Sequence, residues 1–81
     1  MDKLYRVVII DDDEFSADNL CLELKKYNRL SIDGMARNGA NGRKLQEKVH
    51  LDLLFLAVEL PDMQGMELLE QLRGAITWNM Q

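Results

Sequence analysis

Apolar residues fall along the chain in short runs that alternate between two spacings. Residues 4–11, LYRVVIID, form a β-branched run bounded by charge, the pattern of a strand buried on both faces. From Glu14 to Tyr27 the spacing becomes helical: Leu20, Leu24 and Tyr27 make an inward stripe, which Phe15 extends at its start. Residues 30–36, LSIDGMA, are a weaker second strand interrupted by Gly34. NGANG at 38–42 is punctuation, and Asn38 or Asn41 caps a short helix that turns Leu45 and Val49 inward. Residues 51–58, LDLLFLAV, give a third strand with continuous apolar character from Leu53 to Val58. Pro61 and Gly65 then mark a loop, with Gly65 admitting a tight entry to a third helix over 66–73. That helix, MELLEQLR, turns Leu68, Leu69 and Leu72 inward. The order β-α-β-α-β-α predicts a parallel sheet covered on both faces, an α/β fold in three layers, α/β/α. In the tail GAITWNMQ, the run Ile76 to Trp78 is too short to assign to strand or helix. Trp78 wants cover, from the third helix or, as we favour, from a partner chain.

Length and charge narrow the picture. Eighty-one residues, 47% of them apolar, suffice for one light folded domain. A formal net charge of -4 speaks against a general nucleic-acid or anionic-membrane surface. Cys21 is the single cysteine, so an internal disulfide and a cysteine-based zinc cluster are excluded; it reads as a small buried hydrophobe in the first helix. His50 has no cysteine or second histidine nearby and reads as a surface or hydrogen-bonded side chain. No signal-peptide pattern and no run of about 20 apolar residues occurs, which predicts a cytoplasmic location. A sheet of three apolar strands leaves one side unpaired, so the chain is expected to be incomplete or oligomeric.

The candidate chemistry lies at the strand ends. DDDE, Asp11 to Glu14, follows the first strand directly. Parallel α/β sheets bind ligands at the carboxyl ends of their strands, where the first and third strands would bring Asp11 and Asp12 beside Ala57. Packed carboxylates repel, and a hard divalent cation such as magnesium relieves the repulsion. Equally, the cluster can do no more than cap the first helix and solvate its entrance.

RVVIIDDDEFSADNLCLEL at residues 6–24 resembles the opening of response-regulator receiver domains of two-component systems. DLLFLAVELPDMQGMELLEQLR at 52–73 resembles their active-site strand, proline loop and third helix. The spacing between residues 12 and 57 also agrees with the family pattern. The resemblance implies a flavodoxin-like (CheY-like) parallel sheet of strand order 2-1-3-4-5, of which only the first three β-α units are present, so that 1–81 is a partial receiver-like domain. It implies that Asp11 and Asp12 form the acid pair, that the backbone carbonyl of Glu59 is a further magnesium ligand, and that residue 57 is the phosphoacceptor. Position 57 is alanine, which can neither attack phosphorus nor bind a cation. Glu59, Asp52 and Asp62 do not stand in for it, and Gln64 replaces an acid usual in the loop. The hydroxyl residue and lysine of the later family strands have no counterpart, since Thr77 comes too soon and Lys44 and Lys48 read as solvated helix face.

These readings predict either a natural pseudo-receiver or a receiver silenced by substitution at residue 57, in both cases a regulatory module of a two-component phosphorelay that is not phosphorylated at Ala57 and acts through protein contacts. Any magnesium bound by Asp11, Asp12 and the Glu59 carbonyl is weak or vestigial, and no other cofactor is expected. The partners implied are a sensor histidine kinase or another signalling protein, within transcriptional or signal regulation. Neither nucleic acid nor membrane is an expected contact of this domain. Two alternatives stay open: a self-associating structural domain, such as a dimer completed across the open sheet edge, and a magnesium-dependent α/β enzyme.

Overall fold

The computed structural model describes residues 3–72. Three strands, β1 (Tyr5–Ile10), β2 (Leu30–Ala36) and β3 (Leu53–Leu56), alternate with three helices, α1 (Glu14–Leu24), α2 (Gly39–Lys48) and α3 (Gly65–Leu72). The sheet is parallel throughout, in the order β2-β1-β3. The central place of β1 follows from its sequence: Val7 to Ile10 are β-branched and all four are buried, as a strand covered on both faces requires.

Alternation along β1 divides the core in two. Val8 and Ile10 pack on one face with Ala36, Leu60, Leu68 and Leu72. Val7 and Ile9 pack on the other with Ala17 and Leu24 of α1. The β1–β2 register slips by one residue, pairing Val7 with Ile32 but Val8 with Gly34, which leaves Asp33 extra. Gly34 therefore marks an irregularity inside β2, and a Cβ there would meet the Leu45 side chain of α2 at 2.6 Å. Asn38 is the cap of α2, its side chain accepting from the Asn41 backbone N–H at 2.8 Å.

Several sequence expectations need correction. Phe15 is not on the buried stripe of α1 but is 76% exposed. The stripe runs through Ala17, Leu20, Cys21 and Leu24, and Phe15, two residues before Ala17, sits about 200° round the helix. Tyr27 is also exposed and lies beyond the helix. After Leu24 the chain tightens into i→i+3 bonds, Lys26 N–H to Glu23 O and Tyr27 N–H to Leu24 O, which turn it off the helical face. Cys21 and Leu69 are half-buried rather than buried. β3 stops at Leu56, two residues short of Val58, which is exposed. The expectations for Ile76, Thr77 and Trp78 fall outside the described residues.

Candidate functional site

Backbone hydrogen bonds bring the carboxyl ends of β1 and β3 together. The Ala57 N–H donates to the Ile10 carbonyl at 2.9 Å, continuing the register that pairs Ile10 with Leu56. On the other side the Asp11 N–H donates to the Ala36 carbonyl at 3.0 Å. Asp11 and Ala57 consequently line one cavity of about 200 Å³, whose other walls are Ile9, Ile10, Leu20, Phe55 and Leu56. Among the described residues that line it, Asp11 is the one ionisable residue and the rest are apolar.

The three aspartates after β1 do different things. Asp11 accepts the Asp13 N–H through Oδ1 at 3.0 Å, which folds the turn. Asp13 is the N-cap of α1, accepting from the Phe15 N–H at 3.1 Å and the Ser16 hydroxyl at 2.8 Å. The Ser16 hydroxyl bond is the main reason that the Asp13 carboxyl is held below its ordinary value. Asp12 is exposed in the loop between them. Of the three, Asp13 thus caps α1, and Asp11 lines the cavity.

The loop after β3 closes on itself. Leu60 N–H donates to the Met63 carbonyl at 3.0 Å and Gly65 N–H to the Val58 carbonyl at 2.7 Å, framing a bridge between Glu59 and Gln64. That pattern spends neither polar group of Glu59 itself, whose carbonyl remains available. Gly65 is needed for close approach, since a Cβ would fall on the Ala57 carbonyl oxygen. Its φ is not positive, so a special backbone conformation is not the reason.

Sequence reasoning missed what Asp62 does. Its two oxygens accept the Gly39 N–H at 2.7 Å and the Ala40 N–H at 2.9 Å, clasping the loop to the first turn of α2. The Gly39 bond, then the Ala40 bond, lowers the Asp62 carboxyl below its ordinary value. No local signal marks this role, because the partners lie 23 and 22 residues away in sequence.

The magnesium ion that the resemblance implies would have to be held by these donors. Among the described residues no three His, Cys, Asp or Glu side chains converge on a point that could hold a metal ion. Asp11 has already committed one oxygen to the Asp13 N–H, and residue 57 offers none. Asp11, Asp12 and the Glu59 carbonyl would leave most of a magnesium shell to water.

Residues 7–78 match the family model of the response regulator receiver domain. The chain belongs to this receiver family. Among curated relatives it is 33% identical over 72 residues to a protein-glutamate methylesterase/protein-glutamine glutaminase of Halalkalibacterium halodurans, covering 89% of the chain and 21% of that protein. It is 29% identical over 69 residues to the transcriptional regulatory protein BtsR of Escherichia coli K12, covering 85% of the chain and 29% of BtsR. The chain therefore spans less than a third of either relative. The response regulator domain of Thermotoga maritima CheB superposes with a TM-score of 0.85 at 21% identity, over 89% of the chain and 54% of that domain. The three parallel strands and three helices are those of the CheY-like receiver fold. No helix among the described residues is long and apolar enough to cross a membrane.

Proposed function

We propose that this receiver domain is a two-component signalling module that takes no phosphoryl group at residue 57 and works through protein contacts. One observation carries the reading: Ala57 lines the same cavity as Asp11, at the strand end where a receiver accepts phosphate. Phosphoryl transfer to a carboxylate needs an oxygen placed in line with the phosphorus, and a methyl group supplies none. The switch that phosphorylation would write, added charge and strong acceptors, is then absent from this position.

Contact surface supports the second half of the proposal. Phe15 and Leu22 lie seven residues apart on the outer face of α1, 76% and 64% exposed. Apolar side chains so placed are costly to keep in water and suit a partner helix, such as one of a sensor kinase. The relatives carry an enzyme activity in one case and a transcriptional role in the other, so the output of this regulator is a property of whatever the domain is joined to.

The test is direct. The protein is incubated with magnesium and acetyl phosphate and its intact mass measured; no acid-labile phosphoryl group is gained. Stoichiometric labelling would overturn the proposal.

Self-association is the second reading. Among the described residues β3 is bonded on one side only, and its Leu53 is 41% exposed. Light scattering coupled to size exclusion decides it, with a concentration-independent monomer counting against the dimer.

A further inference from the structure

We propose that the groove between the carboxyl end of β2 and helix α2 docks an extended acidic segment of a partner protein. The groove has a volume of about 350 Å³ and is lined by Met35 and Arg37 on the strand side and by Asn41, Lys44, Leu45 and Lys48 on the helix. This surface lies across β1 from the Ala57 cavity and does not depend on what residue 57 can do.

Charge is the first argument. The chain carries a net charge of -4, yet three of its ten Lys and Arg residues border this one groove. Arg37 makes a long ion pair with Glu14, Nη2 to Oε1 at 3.8 Å, and its side chain is still 46% exposed. Lys44 and Lys48 are exposed and enter none of the ion pairs the described residues form with one another. A basic strip on an acidic protein steers acidic partners to that strip and repels them elsewhere.

Geometry is the second. Lys44 and Lys48 are one helical turn apart on the same face of α2, about 6 Å between their Cβ atoms. In an extended peptide, residues two apart point the same way and are spaced by about 6.8 Å. A strand with acids at alternate positions would meet both lysines in register, while half-buried Leu45 offers an apolar contact beside them.

The third argument is the open strand. β2 bonds only to β1 among the described residues. The Ala36 carbonyl points toward β1, where it accepts the Asp11 N–H, so alternation turns the peptide groups of Met35 away from the sheet. Unpaired strand-edge groups at the rim of a groove are what an added strand uses.

The experiment is an amide-resolved NMR titration of the protein with a blocked octapeptide of alternating glutamate and valine, run beside the lysine–valine counterpart and inorganic phosphate. The glutamate peptide is expected to shift amides within 35–37 and 41–48, and only weakly elsewhere. Lys44→Glu with Lys48→Glu should weaken binding by about tenfold. Lys44→Arg with Lys48→Arg should retain it, and both variants are checked for the native amide spectrum. If the glutamate variant does not fold, Lys44→Gln with Lys48→Gln is expected to show a smaller loss in the same direction. The proposal is overturned if the glutamate peptide leaves the groove unshifted. It is equally overturned if the lysine peptide or phosphate shifts it as much, or if the charge-altered variants bind as well as the parent; the lysines are then a solvated face and nothing more.

Discussion

Replacing Ala57 by aspartate asks whether the alanine alone separates this cavity from a cation site. Residues 11 and 57 follow the paired Ile10 and Leu56, so they sit on adjacent strands. Adjacent strands are about 4.8 Å apart, which brings carboxylates at their ends to about 6 Å. At that distance in a water-like dielectric each pair repels by about 0.7 kcal/mol. With Asp11 and Asp12 as neighbours, Ala57→Asp should cost about 1.4 kcal/mol in the absence of divalent cation. A third carboxylate also completes a set of oxygens for magnesium. With a dissociation constant on the order of 1 mM, 10 mM magnesium would restore about 1.4 kcal/mol by mass action. The assay is urea unfolding of both proteins with and without 10 mM magnesium chloride, against sodium chloride of equal ionic strength. The variant's midpoint should rise by about 1 M on adding magnesium, given the shallow denaturant slope of so small a domain. The parent's midpoint should not move. An equal rise in the parent would refute the reasoning, since the present donors would then suffice; no rise in the variant would show that residue 57 does not face the acid corner productively.

Leu68→Ala, at a side chain with no exposed surface, should destabilise the domain by about 2–5 kcal/mol in the same urea assay, because it empties the contact between α3 and the sheet. Gly65→Ala should cost about 1–3 kcal/mol, read as a lowered thermal midpoint, since the new Cβ must displace the Ala57 carbonyl. Asp62→Asn should speed hydrogen exchange at the Gly39 and Ala40 amides relative to the parent. The Asp62 carboxyl is depressed on folding, so its contribution is full above the ordinary value of 3.8 and is lost as pH falls below that through the lowered folded value; acid exchange at these amides should rise in that window in the parent and less steeply in Asp62→Asn.

The strands and their order of appearance were legible because their signal is local. Val7 to Ile10 is an unbroken β-branched run, and continuous apolar character from Leu53 marks β3 without knowledge of its neighbours. The pairing of Asp11 with Ala57 at one cavity was legible through the rule that places ligands at strand ends, together with the family spacing. What failed was helix phase. Phe15 and Tyr27 fit an apolar stripe on paper, but small Ala17 sets the buried face and a tightened turn removes Tyr27. An alanine carries little hydrophobic weight in a pattern, so a stripe built around one is easily read two residues out. Asp62 was illegible for a different reason: its meaning lies in the N–H groups of Gly39 and Ala40, and backbone donors leave no mark in a sequence.

The same details explain why the backbone at residue 57 does not depend on the side chain it carries. The position of residue 57 is set by its own N–H on the Ile10 carbonyl, and by Gly65, which lets α3 begin against the Ala57 carbonyl. Both constraints act on backbone atoms and are indifferent to the side chain. The loop beyond is closed by its own bridge and clasped to α2 by Asp62, again without residue 57. An alanine at residue 57 leaves no charge to be desolvated, whereas an aspartate there needs a cation or water to offset the like charges beside it. On the function proposed above, stability and phosphoacceptance would place opposite demands on this one residue. The exposed face of α1 and the basic groove beside α2 lie on elements other than the one that carries residue 57.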